Sequence, residues 1–194
     1  MATNDEFRYL AYGSNLVAGG LARYVGTVAD HSDGECVEVP GWHLRFQGHS
    51  RRWEGSPATI APDRSARLIG RAWSLDRDSL IAVVAGEAGV TIDRAAFAVD
   101  LVNEAIAADS QAKHWSAPVT RPISQYDTVE AIDHPDGLLW SMTASVPATL
   151  GQRCEPYLAQ VHLGLTDLVG HDRATAEVEA ALARSSRLPG DRTT

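Results

Sequence analysis

The chain opens with an apolar and aromatic run, Phe7 to Tyr12, that stops at Gly13-Ser14-Asn15. A run of this kind ending in turn residues predicts a buried strand that enters a tight turn. Leu16, Leu21 and Tyr24 then predict a short helical piece, weakened by Gly19 and Gly20. Short runs separated by breakers follow. Cys36 to Pro40 and Trp42 to Phe46 flank Pro40-Gly41, Ala58 to Ala61 leads into Pro62-Asp63, and Leu68 to Leu75 comes next. Closely spaced short strands predict a small barrel or curled sheet, not βαβ units.

The pattern then changes period. Asp76 or Asp78 can cap a helix whose apolar residues Leu80, Ile81, Val83 and Val84 lead towards Glu87. Thr91 or Asp93 opens a second helix to about Ala108, with Phe97, Leu101 and Ile106 at roughly helical spacing. Residues 109–122 read as a loop broken by Pro118 and Pro122. Strands near Tyr126 to Ile132 and Leu138 to Ser145 flank His134-Pro135-Asp136-Gly137, where Asp-Gly after Pro predicts a hairpin turn. Pro156 can start a helix carrying Tyr157, Leu158, Val161, Leu165 and Leu168 to Gly170, and Asp172 can cap another through about Arg184. The whole reads as one α+β domain over residues 1–185, a small mostly antiparallel β-barrel with peripheral helices. Residues 186–194 are expected to form a flexible tail.

A length of 194 residues suffices for one self-standing core. Net charge is −8, which argues against a nucleic-acid partner, since neutralising phosphates needs clustered Lys and Arg. The Arg51-Arg52 pair reads as a solvated loop that could also help bind an acidic substrate. No apolar run reaches membrane-spanning length, and the acidic start, Met1 to Glu6, is unlike an export signal. A cytoplasmic protein without membrane contact is the expectation, with oligomeric state left open. The two cysteines, Cys36 and Cys154, form no CxxC pattern, and the seven histidines form no HxH or HExxH pair. Structural thiols and no metal site are expected.

The turn Tyr12-Gly13-Ser14-Asn15 has two readings on its residues alone. It is ordinary turn chemistry, or it is a concave nest whose backbone N–H groups, freed by a glycine at positive φ, hold a carboxylate or phosphate. Glu87, at the end of an apolar helix, is either a solvent-facing carboxylate or a catalytic one.

Wider landmarks bear on both. Tyr9-Leu10-Ala11-Tyr12-Gly13-Ser14-Asn15-Leu16 resembles the signature of the γ-glutamylcyclotransferase-like superfamily, close to the N-terminus as it is there. Pro57-Ala58-Thr59-Ile60 and Gly70-Arg71-Ala72-Trp73-Ser74-Leu75 resemble that superfamily's paired strands. Counted on from Trp73 without a gap, Leu80 and Glu87 fall in register with its catalytic helix and glutamate. Leu139-Trp140-Ser141-Met142-Thr143 resembles the late strand, and Pro156-Tyr157-Leu158 with Val161 and Gly164 the helix after it. The landmarks keep their order from Phe7 to Gly164.

The resemblance implies an enzyme that cyclises a γ-glutamyl amine or amide to pyroglutamate (5-oxoproline) and releases the amine, without cofactor or metal. Glu87 is then the catalytic proton carrier. Tyr12, Gly13, Ser14, Asn15 and Leu16 bind the small-molecule γ-glutamyl substrate, and Trp140 stands near the cavity, with Tyr157 a further candidate. Two features depart from the pattern: Ala88 stands between Glu87 and Gly89, and the segment 93–122 is long. That segment and the loops near 43–56 are expected to shape the side of the leaving amine. The turn sequence also differs from the glutathione-specific branch, so free glutathione is not the favoured substrate. The rival readings are a related amide rearrangement or acyl transfer on another head group, and a non-catalytic small-molecule-binding module.

Overall fold

A computed structural model describes residues 6–26, 34–120, 126–148 and 150–186. Apart from Ser186, the expected tail at 186–194 lies outside the described residues, as do Met1 to Asp5 and Pro122. The elements are β1 (Phe7–Ala11), a 3-10 turn (Ser14–Leu16), α1 (Ala18–Val25), β2 (Gly34–Phe46), β3 (Ala58–Leu75), α2 (Arg77–Ala88), α3 (Ile92–Ala108), β4 (His114–Pro118), β5 (Thr128–Ile132), β6 (Leu139–Thr143), α4 (Glu155–Val169) and α5 (His171–Ser185).

The strands form one six-stranded mixed sheet in the order β2-β3-β1-β6-β5-β4. β1 is central, antiparallel to β3 and parallel to β6. This is an α+β fold, but the sheet is open and the expected barrel is not closed by a ladder. Its end strands β2 and β4 meet instead through side chains, the rings of Trp42 and His114 lying 5.0 Å apart edge to face. β2 and β3 are one long hairpin, not the four short strands expected. Pro40-Gly41 does not end the strand. The register shifts there, with Pro40 opposite Arg67 and Trp42 already opposite Pro62, so the extra residues, 63–66, bulge from β3 opposite Gly41 and are absorbed by bending.

Helices cover both faces. Strand alternation sends Phe7, Tyr9 and Ala11 into a core with α1, α2 and α3. Leu10 and Tyr12 go to the opposite core under α4 and α5. Asp76 caps α2 by accepting from Ser79 N–H at 2.8 Å, and Thr91 caps α3. The buried face of α3 is Ala95, Ala98, Val99 and Val102, whereas Phe97 is exposed. The expected loop at 109–122 contains β4, an edge strand of alternating exposed and buried residues. Among the described residues, no helix is long and apolar enough to cross a membrane, and no group of three or more His, Cys, Asp or Glu could hold a metal ion.

Candidate active site

Three neighbouring pieces of chain build the site: the turn after β1, the end of α2, and α1, which follows the turn directly. The turn is fixed from below. Trp73 Nε1 donates to Asn15 O at 2.9 Å, Leu16 N–H donates to Gly13 O at 3.0 Å, and Gln160 Nε2 donates to Ser14 O at 3.0 Å. Asn15 is buried, and its Nδ2 is shared between two acceptors, Glu87 Oε1 at 2.8 Å and the Tyr9 hydroxyl at 3.0 Å. The turn and the helix glutamate are thus in direct contact.

Glu87 sits on the last turn of α2, half-buried. Burial pushes its carboxyl above the ordinary glutamate range, opposed by hydrogen bonds from Asn15 and Tyr24 and by the charge of Arg23. Desolvation disfavours the charged form and hydrogen-bond donors favour it, and here desolvation is the larger influence. Arg23 also ties the turn to α1. Its Nε donates to Gly20 O at 2.8 Å, and its Nη2 reaches Ser14 Oγ at 3.3 Å and Asn15 Oδ1 at 3.4 Å.

These residues line two adjoining cavities. The larger, of about 140 Å³, is bounded by Ser14, Arg23, Glu87, Tyr126 and Tyr157, with Ser50, Arg52 and Trp53 on the far side. The smaller, of about 20 Å³, lies between Tyr12, Gly13, Asn15, Glu87 and Met142. Glu87 is the single carboxylate among the lining residues, facing the cations Arg23 and Arg52. All five tyrosines of the chain border one or both cavities. Burial raises the hydroxyl pKa of every one, so they stay neutral donors and acceptors.

No family model matches the sequence, and no curated protein matches it. Solved structures do. A γ-glutamyl cyclotransferase superposes with a TM-score of 0.51 at 15% identity, covering 98% of this chain and 92% of that one. The Bacillus subtilis protein YkqA gives a TM-score of 0.55 at 12% identity over 91% of this chain and 54% of that one, so this chain spans about half its length. The chain has a γ-glutamylcyclotransferase-like fold.

Within that fold the expected site residues separate. Tyr12, Gly13, Ser14, Asn15 and Glu87 converge on the cavities. Leu16 is buried beneath the turn, against Gly164 of α4, and lines neither cavity. Trp140 is also away from the lining: it packs edge to face on Phe7 at 5.3 Å in the core. Met142, two residues on and on the same side of β6, is the residue that reaches the cavity. Gly13 does not take positive φ (φ is −115°). Its requirement is steric, because a Cβ there would lie 2.8 Å from the Tyr157 hydroxyl. Nor are all the turn's amides open to a ligand: Leu16 N–H bonds Gly13 O.

None of the described residues of 93–122 lines either cavity. The distal wall comes from the strap between β2 and β3, where Arg52 stacks on Trp53 at 5.1 Å and Trp53 packs on Tyr157 at 5.1 Å. Arg23, Tyr24 and Tyr126 also line the cavities, although no motif in the sequence singles them out as site residues. The available signal was the placement of Arg23-Tyr24 one short helix after the turn. Cys36 and Cys154 are free thiols that line neither cavity.

Proposed function

We propose that the chain is a γ-glutamylcyclotransferase-type enzyme, converting a γ-glutamyl amine or amide to pyroglutamate and free amine. The observation that carries this reading is the 2.8 Å contact between Asn15 and Glu87, which joins the turn to a desolvated carboxylate at one cavity. In the reaction the substrate's α-amine attacks its own γ-carbonyl and closes a five-membered lactam. An α-amine has a pKa of about 7.7–8.0, so much of it carries a proton at neutral pH. A glutamate raised towards neutrality by burial is suited to take the proton that the nitrogen must lose. Glu87 then returns that proton to the departing nitrogen as the C–N bond breaks. The nucleophile belongs to the substrate, so the chemistry requires no enzyme acyl intermediate, cofactor or metal.

The protein's main task is then to hold the curled conformer, and orientation of this kind can be worth about 7–11 kcal/mol. Ser14 Oγ and the Arg23 guanidinium are the natural partners for the α-carboxylate, since Arg23 supplies a fixed counter-charge beside the turn. The leaving amine points to the strap, towards Ser50, Arg52 and Trp53. Incubation with γ-glutamyl-alanine, glutathione and γ-glutamyl-alkylamines tests the reading. Pyroglutamate release from at least one is expected. New acyl products would favour acyl transfer, and saturable binding without turnover a binding module; either would overturn it.

A further inference from the structure

Glu87 is held from two sides, and only one of them belongs to the turn. On the other side α1 brings Tyr24 across the end of α2. Tyr24 and Glu87 line the same cavity, the Tyr24 hydroxyl acts on the Glu87 carboxyl as a donor that favours its charged form, and the Tyr24 ring lies directly over Gly86. A Cβ at position 86 would collide with Cδ1 and Cε1 of Tyr24. Alanine would ordinarily favour a helix over glycine at such a position, so the missing methyl group has a specific consequence: it lets the ring descend until its hydroxyl reaches Glu87. Arg23, the preceding residue, lies 5.4 Å from the centroid of the same ring and reaches back to Ser14 and Asn15. Arg23 and Tyr24 therefore link the turn to the glutamate along a second path, beside the direct Asn15–Glu87 contact.

We propose that Tyr24 is a positioning residue for Glu87 and that Gly86 provides the gap that admits it. Tyr24 fixes the rotamer in which the Glu87 carboxylate faces the cavity, and its hydroxyl stabilises the ionised form that accepts the amine proton. The kinetic consequence rests on the cyclotransferase reading, whereas the contact itself does not.

Tyr24→Phe keeps the ring over Gly86 and deletes only the hydroxyl. NMR titration of carboxyl-13C-labelled glutamate, with Glu87→Gln to assign the resonance, reads the contact without any need for turnover. In Tyr24→Phe the Glu87 midpoint is expected to move to higher pH, since a donor to the charged form is lost. Gly86→Ala should displace the ring and move the midpoint in the same direction, and adding Tyr24→Phe to it should produce little more. In the active enzyme, Tyr24→Phe should lower kcat roughly tenfold, about the value of one hydrogen bond to a charged group. KM should change little, and the acid limb of the rate profile should move to higher pH. An unmoved Glu87 titration in Tyr24→Phe or in folded Gly86→Ala would overturn the proposal. A titration that moves in a protein that cyclises no γ-glutamyl compound would uphold the positioning contact and remove only the cyclotransferase reading.

Discussion

Gly13 and Tyr157 fit together because one of them lacks a side chain: a Cβ on Gly13 would lie 2.8 Å from the Tyr157 hydroxyl oxygen. That oxygen has little freedom to yield. It accepts from Ala58 N–H at 2.9 Å, and its ring packs against Phe46 and Trp53 at centroid separations of 6.4 and 5.1 Å. Gly13→Ala is expected to cost about 1–3 kcal/mol of stability through overpacking. In a Tyr157→Phe background the obstructing oxygen is gone, so the same substitution should cost less by at least about 0.5 kcal/mol. A denaturant double-mutant cycle measures this, and additive penalties would show that the two positions are uncoupled.

Glu87→Gln keeps the side-chain shape and removes the proton acceptor. Turnover should fall by about 10²–10⁴-fold, the usual contribution of a general acid–base group, while the fold persists. Retention of more than about a tenth of wild-type activity would exclude Glu87 as the base. Stability should also respond, with a definite sign. Because burial raises the Glu87 pKa, the folded state keeps this proton to higher pH than the unfolded state does. The Glu87 contribution to stability is therefore most favourable in acid and declines as pH rises through the folded pKa. Glutamine has no such dependence. The variant should melt at higher temperature than wild type at neutral pH, with the gain disappearing below the ordinary glutamate range. A gain that is independent of pH would mean that ionisation of Glu87 is not its source.

The sequence made one half of this site legible and hid the other, for physical reasons. β1 and its turn stand out because a continuous apolar run meets Gly13-Ser14-Asn15 at a single point. The register from Trp73 to Glu87 carries information because both residues bond to Asn15, one to its carbonyl oxygen and the other to its side chain. Arg23 and Tyr24 escaped notice because α1 is a short helix carrying two glycines, where propensity is poor and packing decides the outcome. β4 resembles a loop in sequence because it is a five-residue edge strand that ends in proline, a residue edge strands tolerate. In α3, Leu101 and Ile106 pack partly buried against the core as their spacing predicts, whereas Phe97 is exposed and the fully buried face is alanine and valine. Trp140, expected near the cavity, lines neither cavity, whereas Met142, two residues farther along β6, lines the smaller one.

Cys36→Ser and Cys154→Ser should each keep wild-type turnover of a γ-glutamyl substrate. Neither thiol lines the cavities, and the proposed nucleophile is the substrate's own amine. Loss of turnover in either variant, with an unchanged melting curve, would point instead to a thiol mechanism.

The final prediction concerns the substrate's head group and the residue that would face it. If Glu87 accepts a proton from the attacking α-amine, that amine must be free. N-acetylation should therefore eliminate reaction, since no enzyme side chain is assigned as a replacement nucleophile. If Arg23 and Ser14 meet the α-carboxylate, esterifying it should chiefly raise KM, by roughly tenfold for loss of one charged hydrogen bond. Arg23→Gln should raise KM for the free acid by a similar factor and scarcely affect the ester, because each change removes one partner of the same interaction. The rate should rise with pH through a limb that belongs jointly to Glu87 and the substrate amine, as expected of two coupled titrations. Mass spectrometry of products, alongside KM values for the four enzyme–substrate combinations, tests each link separately. Equal KM penalties from Arg23→Gln on acid and ester would place the carboxylate elsewhere. Release of the amine from the N-acetylated compound would identify a hydrolase, since water would then have done what the blocked nitrogen cannot.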